Sequence, residues 1–200
     1  MINDIIENRS TLKTLLDNIL ATDNQGLPLV LEEALESTID MITEKSQEGG
    51  QLLFIGNGGS AAISSHMATD FWKNAGIRAT AFNDSVLLTC ISNDHGYKYV
   101  FEKAIEMHGT GRDILIAISS SGRSENILRG VFAAQEKKMA IITFSGFDKN
   151  NLLRGKGDIN FYVPASHYGR VEVIHHALCH CLIDVIIKNK ASLGERVKTT

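Results

Sequence analysis

The sequence has few of the features that mark exported, membrane-bound or nucleic-acid-binding proteins. Its 200 residues include only three cysteines, too few and too badly spaced for a disulfide framework, and two prolines. It has no run of about 18 apolar residues, and its first ten residues do not form a secretory signal. The net charge of −3 argues against nucleic-acid binding as its main task. We therefore expect a cytoplasmic protein with no membrane or nucleic-acid partner.

The first 50 residues predict two helices. Apolar residues recur at intervals of three and four from Ile2 to Leu20, which is typical of an amphipathic helix. A second helix is predicted from Pro28, a good first-turn residue, through Ile42 to Gly49-Gly50. The segment 21–28 between them is predicted to be a turn. The long apolar stripe of the first helix predicts packing between subunits.

From Gln51 onward, short apolar runs alternate with helical stretches. Such runs, rich in Ile, Leu and Val, are typical of strands that are buried on both faces of a parallel sheet. They are Leu52–Ile55, Ile77–Phe82, Ile114–Ile118, Met139–Phe144 and Ile159–Val163. The predicted fold is α/β, with a doubly wound parallel sheet of about five strands flanked by helices. We expect one domain over 1–200, with N-terminal helices in 1–50 and an α/β core in 51–190.

Two loops are candidates for ligand binding because each follows a predicted strand, where open parallel sheets bind their ligands. The glycine loop, residues 56–60, contains Asn57, Gly58, Gly59 and Ser60 and precedes a helix predicted from Ala61. The serine loop, residues 119–124, contains Ser119, Ser120, Ser121 and Ser124 and precedes a helix predicted from Glu125 to Lys137. Hydroxyls and helix N–H groups suit a phosphate monoester. The alternative for each loop is a tight strand-to-helix turn, with Ser124 as an N-cap.

The combination of these motifs resembles the sugar isomerase (SIS) family, and within it the phosphoheptose isomerases. The segments that carry the resemblance are GNGGSAAISSH, the S-x-S-G-x-S pattern of the serine loop, and NDHGY. The resemblance covers nearly the whole chain. It implies the SIS fold, a homotetramer with sites at subunit interfaces, and a cytoplasmic isomerase that converts sedoheptulose 7-phosphate to D-glycero-D-manno-heptose 7-phosphate for bacterial surface polysaccharide.

The resemblance also implies a zinc site on two helices, with one zinc per subunit. The family's ligand positions fall on His66, Asp70, Glu172 and His180, although the family has Glu and Gln where this chain has Asp70 and Glu172. Two imidazoles and two carboxylates suit zinc. His176 is an alternative ligand, or a residue that supports the ligands by contacting them. The alternative for His66 is an ordinary polar helix residue.

By the same resemblance, Asp70 and His180 are the catalytic acid and base of an aldose–ketose isomerisation through an enediol. Substrate contacts are expected from the two loops and from Glu172. Asn93 and Asp94 are expected to form hydrogen bonds with the sugar hydroxyls. A second class of function remains open, a non-catalytic SIS regulator that binds a sugar phosphate or the replication initiator. An isomerase for a related phosphosugar is a third possibility. Retention of His180 and of the serine loop favours the enzyme.

Overall fold

The computed structural model describes residues 2–198 and, within them, the side chains of residue 2 and of 5–192. These residues form seven helices and seven strands, with a short 3₁₀ turn at Tyr97–Tyr99. The strands are β1 Leu20–Asp23, β2 Pro28–Leu29, β3 Leu52–Gly56, β4 Ala79–Ala81, β5 Ile114–Ser119, β6 Ala140–Ser145 and β7 Ile159–Tyr162. The helices are α1 Ile2–Asp17, α2 Leu31–Gln47, α3 Gly59–Asn74, α4 Ser85–Asp94, α5 Val100–His108, α6 Glu125–Glu136 and α7 Tyr168–Lys198.

All strands form one sheet in the order β2-β1-β7-β6-β5-β3-β4. The five strands from β3 to β7 are parallel to one another, which confirms the predicted α/β class and parallel sheet. Each of these five strands lies within two residues of its predicted bounds. The sheet is larger than expected, because β1 and β2 extend it by two antiparallel strands.

The two faces of the sheet bury different side chains, because successive residues of a strand point to opposite sides. Phe54 and Ile116 face a cluster that includes residues of α2, α3 and α7. Ile55 and Ala117 face a second cluster, built mainly with α5 and α6. Continuous apolar runs therefore mark strands that are covered on both faces, as predicted. No helix within residues 2–198 is long and apolar enough to cross a membrane.

The segment 21–28, predicted to be a turn between helices, is instead part of a hairpin. α1 ends at Asp17, and α2 begins at Leu31, three residues after the predicted start at Pro28. Asp23 closes the hairpin, since its Oδ1 accepts hydrogen bonds from the backbone N–H of Gln25 and Leu27 at 2.9 and 2.8 Å. The segment becomes a strand because β1 pairs with the free edge of β7. β7 lies far from β1 in the sequence. Local periodicity carries no information about such pairing.

Candidate active site

Both candidate loops lie at the same edge of the sheet. β3 and β5 are parallel neighbours, with Gly56 opposite Ile118, so the loops that follow them leave the sheet side by side. They enclose a cavity of about 340 Å³ together with the start of α7. Its lining residues are Asn57, Gly58, Gly59, Ser60, Ser119, Ser120, Ser121, Ser124, Tyr168 and Glu172. The structure thus brings together nine residues that the sequence singled out, and adds Tyr168.

The four serines of the second loop divide into two pairs. Ser119 Oγ accepts a hydrogen bond from the Gly122 N–H at 3.2 Å, and Ser121 Oγ lies 3.4 Å from the Arg123 N–H, so both help to shape the loop. Ser120 is buried, and its Oγ has no hydrogen-bond partner among the described residues. Ser124 occupies the N-cap of α6 but makes no side-chain capping bond. The hydroxyls of Ser120 and Ser124 are therefore available to a ligand.

The lining of the cavity contains no basic side chain. Arg123 does not line it, and its guanidinium pairs instead with Asp148, with the side chain 58% exposed. A hydrogen bond from the Asn150 backbone N–H, and then the Arg123 pair, lower the pKa of Asp148. What faces the cavity is the start of α3 at Gly59 and of α6 at Glu125, whose N–H groups favour negative charge.

Asn57 ties the glycine loop to two other elements. Its side-chain amide exchanges two hydrogen bonds of 2.9 Å with the amide of Asn126, in the first turn of α6. The Tyr97 hydroxyl donates a third, 2.8 Å bond to Asn57 Oδ1. The amide of Asn57 therefore holds the walls of the cavity together. Sequence reasoning missed Asn126 and Tyr97, although Tyr97 lies inside the NDHGY segment and Asn126 is the second residue after the serine loop.

Asn93 and Asp94 do not line the cavity. They are exposed at the end of α4, where Asn93 Nδ2 donates to Asp94 Oδ1 at 2.9 Å. Within the NDHGY segment, Tyr97 is the residue that reaches the glycine loop, through Asn57. A role for Asn93 and Asp94 in binding sugar hydroxyls remains a prediction.

A cluster of three histidines lies between α3 and α7. One ring nitrogen each from His66, His176 and His180 lies within 4.8 Å of the others. His66 Nε2 is also 3.3 Å from Asp70 Oδ2. The residues expected as ligands are thus partly brought together. His66 and His180 meet with His176, Asp70 contacts His66, and Glu172 lies in the neighbouring cavity.

The donors in this cluster fit a divalent transition metal. His176 Nε2 is buried and has no hydrogen-bond partner among the described residues, which is costly unless something binds it. Burial, and then the neighbouring His180 and His66, lower the pKa of His176 and favour its neutral, metal-binding form. Imidazole nitrogens with one carboxylate are a donor set that zinc accepts. The residues present therefore fit the zinc that the resemblance implied.

One face of α7 connects the cavity to the histidine cluster. Tyr168, Glu172, His176 and His180 are spaced four residues apart, so each lies about one turn further along the helix and about 40° around it from the one before. The first two line the cavity, and the last two belong to the cluster. Each step advances about 6 Å along the axis. The sequence contains this spacing, but only the packing of α7 against α3 shows what it faces.

Comparisons with known proteins agree with this geometry. The family model described as SIS domain matches residues 20–146. The phosphoheptose isomerase of Proteus mirabilis is 37% identical over 164 residues, which cover 78% of this chain and 84% of that protein. The phosphoheptose isomerase of Glaesserella parasuis is 35% identical over 175 residues, or 84% of this chain and 88% of that protein.

Solved structures give the same assignment. The phosphoheptose isomerase of Neisseria gonorrhoeae superimposes with a TM-score of 0.79 at 28% identity, covering 92% of this chain and 97% of that one. The Francisella tularensis enzyme also has a TM-score of 0.79, at 27% identity, covering 94% of this chain and 96% of that one. The chain therefore belongs to the SIS domain family and, within it, to the phosphoheptose isomerases.

Proposed function

We propose that this chain is an aldose–ketose isomerase that converts sedoheptulose 7-phosphate to D-glycero-D-manno-heptose 7-phosphate. The observation that carries the proposal is the position of the serine and glycine cavity beside the three-histidine cluster, along one face of α7. The cavity suits a phosphate, and the histidine cluster suits proton transfer and a metal. Relatives named phosphoheptose isomerase, at up to 37% identity, support this substrate.

The phosphate is assigned to the serine loop. Ser120 and Ser124 offer hydroxyls without a structural task, while Ser119 and Ser121 shape the loop around them. The glycine loop approaches from the other side, where Gly58 adopts a φ of 54°, a conformation that glycine takes without strain. Gly59 and Ser60 begin α3 and present its first N–H groups to the ligand.

The cavity and the histidine cluster are adjacent along α7. Glu172 lines the cavity together with the serine loop, and α7 rises about 6 Å from Glu172 to His176 in the cluster. A phosphate in the serine loop therefore brings the other end of the sugar, with C1 and C2, to Glu172 and the histidine cluster. The carbonyl that must be isomerised lies at that end.

We propose zinc as the cofactor, one per subunit, held by His66, Asp70, His180 and His176. Glu172, expected as a ligand from the resemblance, reaches this set only with a change of its side-chain conformation, since its carboxylate lies against Gly59. When bound, zinc supplies a Lewis acid that polarises the substrate carbonyl. Of the catalytic pair inferred from the resemblance, His180 moves the proton between the two substrate oxygens, and Asp70 remains one candidate for the base.

The assembly is proposed to be a cytoplasmic homotetramer with sites at subunit interfaces. Support comes from α1, where Ile2, Ile5 and Ile6 are 71%, 64% and 49% exposed on the single chain. A second copy would remove these side chains from water. We therefore assign residues 1–50 to packing and oligomerisation, although β1 also extends the sheet. Sedimentation equilibrium of wild type and Ile5→Glu tests this: the variant should dissociate, and an unchanged mass would contradict it.

The experiment for the proposed activity is direct. Purified, zinc-loaded protein is incubated with sedoheptulose 7-phosphate, and the products are followed by ¹³C NMR. The aldose 7-phosphate should appear, and His180→Ala should abolish its formation while leaving the thermal midpoint of the metal-free protein close to that of the metal-free wild type. No turnover of any ketose 7-phosphate by the wild type would overturn the proposal and favour a non-catalytic regulator.

A further inference from the structure

Glu172 is the one carboxylate in the lining of the cavity, and none of its neighbours neutralises it. No described residue within 2–198 makes a hydrogen bond or an ion pair with its side chain, and the side chain is only partly buried. Its carboxylate lies directly against Gly59, where any β-carbon would collide with it. The absence of a side chain at Gly59 thus leaves space for this carboxylate beside the start of α3.

The other candidate base, Asp70, is held on both of its oxygens. Asp70 Oδ2 lies 3.3 Å from His66 Nε2, and Oδ1 accepts a hydrogen bond from Asn74 Nδ2 at 3.2 Å. Asp70 therefore already contacts two neighbouring side chains, whereas no described residue makes a hydrogen bond or an ion pair with Glu172. A general base must reach the proton that it removes. Glu172 lines the cavity and Asp70 does not, so Glu172 is better placed.

The charge of Glu172 also excludes one role for it. A carboxylate repels a phosphate dianion, so Glu172 cannot be a phosphate ligand in its ionised form. It lies on α7 one turn before His176 and one turn after Tyr168, between the serine loop and the histidine cluster. A bound sugar phosphate would present its uncharged carbons and hydroxyls at that point. The carboxylate would therefore face the carbons and hydroxyls of the sugar and not its phosphate.

We propose that Glu172 is the base that transfers the proton between C1 and C2 of the substrate. Glu172 removes a proton from C1, the C1–H electron pair becomes the second C1–C2 bond, and the C2 carbonyl pair moves to its oxygen. The proton on O1 passes to O2, and the neutral Glu172 returns its proton to C2, leaving an aldehyde at C1. No atom or electron is gained or lost. The inference rests on the proposed isomerase function.

The test compares Glu172→Gln with Glu136→Gln, which changes an exposed carboxylate at the end of α6. Turnover of sedoheptulose 7-phosphate, its dissociation constant by calorimetry, the zinc content and the thermal midpoint are measured for each. Glu172→Gln should lower kcat by about 10²–10⁴-fold, the usual contribution of a general base, with a dissociation constant within about three-fold of wild type. Glu172→Asp should recover part of the rate, and Glu136→Gln should behave as wild type.

Proton exchange gives a second readout. In ²H₂O the wild type should place deuterium at C1 of the remaining ketose, and Glu172→Gln should lose this exchange while keeping its zinc. A Glu172→Gln enzyme with kcat within about three-fold of wild type would overturn the role of Glu172 as the base. It would leave the proposed isomerase function standing, because the wild type still isomerises. Loss of zinc together with the rate would overturn it in favour of a ligand role. An inactive wild type would overturn the proposed function and this inference with it.

Asp70→Asn separates the two carboxylates. Because Asp70 contacts His66, its replacement should lower the zinc content as well as the rate. If Asp70→Asn instead kept full zinc and lost all exchange while Glu172→Gln remained active, the base would be Asp70.

Discussion

The side-chain amides of Asn57 and Asn126 exchange two hydrogen bonds, both 2.9 Å long, across 69 positions of sequence. One residue lies in the glycine loop and the other in the first turn of α6. The pair therefore fixes the distance between the helix N-termini that flank the cavity. Tyr97 completes this contact from the 3₁₀ turn.

Asn126→Ala should destabilise the fold and weaken substrate binding together. Asn126 is buried at 4% exposure, and its removal leaves the Asn57 amide without two of its three hydrogen bonds. We expect the free energy of unfolding in urea to fall by about 1–3 kcal/mol. The KM for sedoheptulose 7-phosphate should also rise. Asn189→Ala, at an exposed position of α7, is the control, and equal stabilities of the two variants would contradict the role of the pair.

Ser120→Ala should affect the ligand and leave the fold intact. The Ser120 hydroxyl is buried without a partner, so its removal costs no protein hydrogen bond. Loss of one hydrogen bond to a charged phosphate should raise KM about 10-fold or more, while the urea midpoint stays the same or rises slightly. Ser85→Ala, at the exposed start of α4, should change neither quantity. An unchanged KM in Ser120→Ala would remove this hydroxyl from the phosphate site.

His176→Ala should weaken zinc binding. His176 Nε2 is buried, has no partner among the described residues and faces His66 and His180. Loss of a residue that hydrogen-bonds to a metal ligand typically lowers the metal affinity 10- to 100-fold. Loss of a ligand itself should lower the zinc affinity by at least as much. Competition with a chromophoric chelator measures this, with His95→Ala, an exposed histidine outside the cluster, as the control. Equal affinities of wild type and His176→Ala would show that His176 is not a ligand.

The stability of the metal-free protein should fall as the pH falls from about 6.5 to about 4, partly through His175. Burial lowers the pKa of His175 from 6.5 to about 4, despite its contact with the Ser145 carbonyl at 3.1 Å. In this window the unfolded chain binds a proton that the folded chain excludes, so protons favour unfolding. The expected loss from this group is about 2 kcal/mol at pH 5 relative to pH 8.

Urea unfolding of wild type and His175→Gln at both pH values, with EDTA present, isolates this contribution. The variant should be less stable at pH 8, because it loses a well-packed side chain, but its stability should fall less between pH 8 and pH 5. Equal losses in the two proteins would show that His175 does not titrate between these pH values.

Much of the fold follows from local sequence patterns. The runs around Phe54 and Ile116 predict their strands because both faces are apolar, and the structure covers both faces. The loops after β3 and β5 follow from strand direction, since parallel strands place their carboxyl ends at one edge. The hairpin at Ala21 does not follow, because its partner Phe161 lies 140 residues away. Strand pairing over such distances depends on which edge of the sheet remains free.

The sequence by itself determined the α/β class, the two loops that line the cavity and, through the family resemblance, the candidates His66, Asp70 and His180. Spacing alone left His176 and Glu172 as neighbours on one helix without showing what each of them contacts. The tertiary structure decided this, because the packing of α7 against α3 directs His176 toward His66 and places Glu172 over Gly59. A helix defines the order of its side chains, but only the opposing element defines what each of them contacts.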